Sequence, residues 1–208
     1  MRKQIGQTIQ LYLKEHQSLY LFTIVLFAMG VVFGAFIVNS LAATQKQELI
    51  SFLQYFFKQF DQHGITDPRQ YFQQSSLFYL KTVGVMWLLG LSIIGLPFIL
   101  LVLFVKGVII GFTVGFLVNQ LAWQGISFSL FGVLPQNMLI VPALVMIGVG
   151  GIAFSLRLLK TGLLVKRELI LPYFFRYTFL VVSMMGVLLI AVLFETFVSP
   201  QLMQYVLK

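Results

Sequence analysis

From Val83 to Val118 the chain is almost uninterrupted apolar sequence, and a single charge, Lys106, sits inside it. A helix of about 20 residues crosses a hydrocarbon core. The stretch is therefore too long for one crossing and reads as two, divided at the lysine. Behind Lys106, Gly107, Gly111 and Gly115 recur at every fourth position and so share one helix face. That stripe removes side chains and lets another helix approach closely in lipid, where packing, not the hydrophobic effect, holds helices together. The following segment opens with Pro135 and carries the amides Gln136 and Asn137 at its head.

With 59% hydrophobic and 10% charged residues, the chain lies far from soluble domains, in which about 25% of residues are charged. The expected fold is all-α: a polytopic integral membrane protein of about five transmembrane helices with a helical extracytoplasmic loop. Its 208 residues form one membrane domain. The net charge of +8 arises from few charges of either sign. In a membrane protein this excess points to orientation and contact with membrane lipid, and away from nucleic acid. With no cysteine there is neither a disulfide framework nor thiol chemistry.

The spans are read at about 19–41, 82–105, 107–122, 134–156 and 177–197. The first is uncharged and longer than the core of a secretory signal, so it reads as uncleaved despite the Ser40-Leu41-Ala42 sequence behind it. Gly30 and Gly34 form a second small-residue pair within it. Residues 42–81 are polar, with Leu49, Leu53, Phe56, Phe57 and Phe60 on one face at helical spacing. Two readings of that face stand, a bilayer-lying amphipathic helix or a docking face for a partner. Gly64 suits a helix end, and Asp67-Pro68 suits a new helix start. Pro97 falls near the middle of the second span and predicts a kink. The third span is short and ends at Asn119, Gln120 and Trp123, so a re-entrant course is the competing reading.

Orientation follows from lysine and arginine. With the N-terminus cytoplasmic, Arg2, Lys3, Lys14, Lys106 and five residues between Arg157 and Arg176 lie inside. Lys46, Lys58, Arg69, Lys81 and Lys208 lie outside, which agrees with the positive-inside rule and puts the C-terminus outside.

No phosphate-binding loop and no nucleophile elbow occurs. His16 and His63 stand alone, without a carboxylate or second histidine at ligand spacing, so no metal, cofactor or catalytic site is expected. Glu195 is the one acid near a span, and its place at a helix end favours a solvated or lysine-paired group. If buried, it is the best candidate for a functional charge. Lys106 is expected to snorkel from a turn to the cytoplasmic surface. Asn119, Gln120, Gln136 and Asn137 read as outer-side polar residues and candidate partner contacts. Gly30, Gly34, Gly107, Gly111 and Gly115 read as helix-packing positions, through which a homo-oligomer is also conceivable.

Three stretches resemble the stage II sporulation protein M family: LYLFTIVLFAMGVVFGAFIVNSL (19–41), KGVIIGFTVGFLVNQ (106–120) and VLPQNMLIVPA (133–143). The likeness runs over nearly the whole chain. Other members tend to have L-P-H-G and then an acid where this chain has Leu134, Pro135, Gln136, Asn137 and Ile140. The prolines at 135 and 142 fit a shared architecture. The resemblance implies a non-enzymatic scaffold of endospore formation in the mother-cell membrane at the division septum. It would gather two peptidoglycan hydrolases, sporulation protein D and sporulation protein P, for septal wall thinning and engulfment. The alternative from the residues alone is a permease or pore-forming subunit, with Pro97, Pro135 and Pro142 breaking helices along a pathway. Against it stands the scarcity of intramembrane charge.

Overall fold

The computed structural model describes residues 17–63, 68–161, 170–199 and 201, without the side chains of residues 56, 57, 59–63 and 161. Among these residues every regular element is helical: α1 Gln17–Ser40, α2 Ala43–His63, α3 Pro68–Gly90, α4 Gly95–Phe128, a π-helical turn Ser129–Val133, α5 Leu134–Thr161 and α6 Leu171–Phe197. Three stretches are long and apolar enough to cross a membrane: Gln17–Ser40, Gly95–Lys160 and Leu171–Phe197. The molecule is thus an all-helical, multi-pass membrane protein. Large apolar side chains such as Phe36, Phe98 and Phe179 face outward, as surfaces solvated by lipid do.

The apolar stretch breaks in a different place from the one its charge marks. Instead of a span from 82 to 105 ending at Lys106, α3 ends at Gly90, a short turn follows, and α4 begins at Gly95. Gly95 packs so closely on the backbone of Leu89 that a Cβ would collide. The turn is held from outside, because the buried Ser155 hydroxyl of α5 lies 2.8 Å from the carbonyl of Gly90 and 3.0 Å from that of Ser92. The Gly90 carbonyl is among the groups a helix end leaves unpaired, and in lipid no water would take it, whereas that of Ser92 also accepts from the Gly95 N–H at 3.1 Å. Pro97, expected as a mid-span kink, occupies the first turn of α4, where a missing N–H costs nothing. Lys106 continues the helix, in keeping with lysine's good helix propensity.

α4 reverses at one residue. Ala122 has φ 46° and ψ −119°, and Gly125 then lies against Leu117 and Val118. From there the chain runs back beside α4, so that Gly148 faces Leu103 and Ile99, and Gly151 faces Ile99. Residues 123–133, which the spans read from sequence leave as a connection, are therefore mostly helix, and Gly95–Lys160 consists of two antiparallel limbs. Helices α3, α4, α5 and α6 share one apolar core that includes Met86, Ile99, Leu103, Ile147 and Leu188. Tyr177 of α6 sits at its centre, stacked on Phe154 at 5.8 Å between ring centroids and donating to the Met86 carbonyl at 3.2 Å. α1 stands beside this group and packs chiefly on α4. α2 makes few contacts with any other described element.

Candidate functional site

The structure brings the two glycine series together. Gly30 of α1 lies against the backbone of Phe104 and Val108, and Gly34 against Val108 and Phe112. In return, Gly107 meets Phe27, Gly30 and Val31, Gly111 meets Val31, and Gly115 meets Ala35 and Val38. Residue numbers rise together along both helices, so α1 and α4 run parallel. At most of these positions an added Cβ would strike backbone, which cannot yield as a flexible side chain would. Close approach of glycine Cα–H groups to facing carbonyls adds weak hydrogen bonds to the dispersion contact. The seam is internal to one chain.

The second feature is a polar cluster where α3, α4 and α6 meet. Tyr71 donates from its hydroxyl to Glu195 Oε1 at 2.6 Å, and Ser75 hydrogen-bonds Tyr71 in turn. Glu195 Oε2 is buried without a hydrogen-bond partner. Tyr79, 7% exposed, and Lys106 both lie within electrostatic reach of Glu195. The Lys106 ammonium lies 5.3 Å from the centroid of the Tyr79 ring, a cation–π contact. Lys106 therefore does not snorkel from a turn. It lies eleven residues into α4, roughly 16 Å along the axis at 1.5 Å per residue. Sequence reasoning found both charges but kept them apart. It passed over Tyr71, Ser75 and Tyr79, although their four-residue spacing marks one stripe of α3. A cation within reach of a ring face and of a carboxylate, each from another helix, is a charge-neutral arrangement that links three helices.

The four amides do not form one cluster. Gln120 Nε2 donates to Asn119 Oδ1 at 3.0 Å beside the reversal. Gln136 and Asn137 lie about fourteen residues farther along the returning limb, roughly 20 Å of helix path. Asn137 Nδ2 is spent on the Val133 carbonyl at 2.7 Å, in the π-helical turn, and Gln136 Oε1 is buried without a partner. Trp123 is 82% exposed next to the reversal, as an interfacial anchor would be. Phe56, Phe57 and Phe60 fall within α2, and their side chains lie outside the described residues. Among the described residues no group of histidine and acidic side chains is placed to hold a metal ion.

A family model, stage II sporulation protein M, matches residues 23–200. The chain belongs to that family. The match takes in the glycine seam, the polar cluster and α2, so all three belong to the shared region and not to an appendage. It makes this a sporulation-related membrane protein. No curated protein and no solved structure matches the chain.

Proposed function

We propose that this protein is a non-enzymatic scaffold of endospore formation, which holds the hydrolases called sporulation protein D and sporulation protein P at the septum for wall thinning and engulfment. In this reading it crosses the mother-cell membrane five times, by α1, α3, the two limbs on either side of Ala122, and α6. The N-terminus is cytoplasmic, and α2 and the C-terminus are extracytoplasmic. The observation that carries the reading is α2. It is a helix of 21 residues whose sequence carries aromatic residues at helical spacing, it belongs to the family region, and it takes little part in the bundle. The bundle then serves to position it. The positive-inside argument survives the relocation of Lys106, since nine inner cations less one still exceed the five outer ones.

Affinity capture of the full chain from sporulating cells tests the proposal, comparing wild type with a Phe56→Glu/Phe57→Glu variant. Both hydrolases should come down with wild type and be lost with the variant. Equal recovery would keep the scaffold and move the contact away from α2. The competing reading, a permease or pore subunit, gains from the Lys106–Glu195 cluster within the bundle. Recovery of neither hydrolase, with solute leak from proteoliposomes that Glu195→Gln abolishes, would favour it.

A further inference from the structure

At the Glu195 end of the bundle the apolar core gives way to polar side chains on three helices at once. Ser76 lies one turn beyond Tyr79 on α3, Gln136 one turn beyond Ile140 on α5, and Glu195 one turn beyond Val192 on α6, and each of the inner residues is buried. Ser76 Oγ, Gln136 Oε1 and Glu195 Oε2 are themselves buried, and none of them has a hydrogen-bond partner among the described residues. α3 and α5 run parallel, with Met86 against Gly148 and Gly90 against Gly151. The same step along both helices brings Ser76 level with Asn137, next to Gln136. Glu195 joins them from α6 through Tyr71, whose other partner, Ser75, adjoins Ser76. Lys106 approaches from α4. Its ammonium faces the Tyr79 ring, one turn inward from Ser76, and it reaches no hydrogen-bond acceptor among the described residues.

Three acceptors without a donor and one ammonium without an acceptor define what can stand between them. A buried acceptor left unpaired is costly, and lipid offers it nothing. The charges of Lys106 and Glu195 offset each other, so a cation at the oxygens would be repelled by the ammonium and an anion at the ammonium by the carboxylate. An apolar molecule would leave all four groups as they are. The occupant must be neutral, accept from the ammonium and donate to the oxygens. Water does both, and a buried water makes about three hydrogen bonds to groups otherwise unsatisfied. We propose that Ser76, Gln136, Glu195 and Lys106 form an internal hydration site, in which a small cluster of ordered water bridges the ammonium to the three oxygens. This water adds α5 to the helices that Lys106 and Glu195 link, and it screens two opposite charges that do not touch. The site does not depend on the hydrolase reading.

The test measures magnetisation transfer from water to side chains by solid-state NMR, on the full chain in vesicles of phosphatidylglycerol and phosphatidylcholine. Glu195 Cδ, Gln136 Cδ and Lys106 Cε should receive magnetisation several-fold faster than the side chains of Ile147 and Leu188, which lie deeper in the same core. Transfer no faster than to those two would overturn the site, and this outcome needs no variant to fold. A second arm separates held water from bulk water that touches half-buried side chains. Gln136→Leu and Ser76→Ala, each of unchanged helicity, remove one acceptor and should slow transfer to Glu195 about two-fold. Ser183→Ala, whose hydroxyl is spent on the Phe179 carbonyl on an exposed face of α6, should leave that transfer unchanged. Undiminished transfer to Glu195 in both of the first two variants would overturn the site, because water there would owe nothing to the other oxygens. A matching fall with Ser183→Ala would overturn it as well.

Discussion

At the scale of residues, the polar contacts inside the bundle each satisfy a group that lipid could not, and they differ in what their loss would do. Ser155 covers the Gly90 carbonyl at the end of α3 and reaches that of Ser92 in the turn. Ser155→Ala should cost about 1–3 kcal/mol, the penalty for a buried acceptor left unpaired, and thermal unfolding in detergent would register it as a lowered midpoint. Ser155→Thr, which keeps the hydroxyl, should lie closer to wild type. Lys106 and Glu195 call for a cycle of variants. Lys106 and Glu195 are half-buried, so Glu195→Gln, which leaves the lysine charge without its nearby counter-charge, should destabilise by about 1 kcal/mol. Adding Lys106→Met removes the stranded charge, so the double variant should recover most of that loss. Additive effects of the two changes would mean that the charges do not act as a pair.

At the scale of elements, the sequence carried the packing surfaces and hid the chain's turns. The glycine stripes at 30 and 34 and at 107, 111 and 115 were readable because a four-residue period on an apolar helix has one geometric consequence, whichever helix is the partner. The break at residues 91–94 was hidden because Leu91, Ile93 and Ile94 are as apolar as a helix interior, and what stabilises the turn, Ser155, lies more than sixty residues away. Lys106 misled for the same reason. A charge marks a membrane boundary only when nothing in the bundle receives it, and Tyr79 and Glu195 come from other helices. The seam yields a prediction of its own. Gly111→Leu places a side chain in the backbone of Val31 and should separate α1 from α4, lowering accumulation in the membrane well below that of Gly186→Leu, where a Cβ meets open space. Equal levels would remove the seam from the account of assembly. At the reversal, Ala122 adopts a conformation that side chains disfavour. Ala122→Gly should therefore stabilise by about 1 kcal/mol, and Ala122→Val should destabilise, as unfolding midpoints would register.

At the scale of the whole molecule, the arrangement places different chemistry at its two ends. One end has α2, the Ala122 reversal with exposed Trp123, and Glu195 bound to Tyr71. The other has Arg157 and Arg176 about the Tyr173 ring and the Ser155-held turn. The helix directions make this polarity testable. α1 runs parallel to the first limb of α4, the second limb returns, and α6 runs antiparallel to α3, with Tyr71 opposite Glu195 and Trp87 opposite Thr178. If all five cross, α2 and the Arg157–Arg176 end must face opposite compartments. The absence of native cysteine allows single cysteines to report this without background. Ser51→Cys on α2 and Lys160→Cys at the end of α5 are both exposed positions. In intact cells stripped of their wall, a membrane-impermeant maleimide should label the first and spare the second until the membrane is opened. Labelling of both in intact cells would mean that an even number of crossings separates them. In that case α3, whose first half is polar and which is the least apolar of the bundle helices, would lie along the surface instead of crossing. The Tyr71–Glu195 bond would then belong to the outer surface, and the charge at Lys106 would require a different partner.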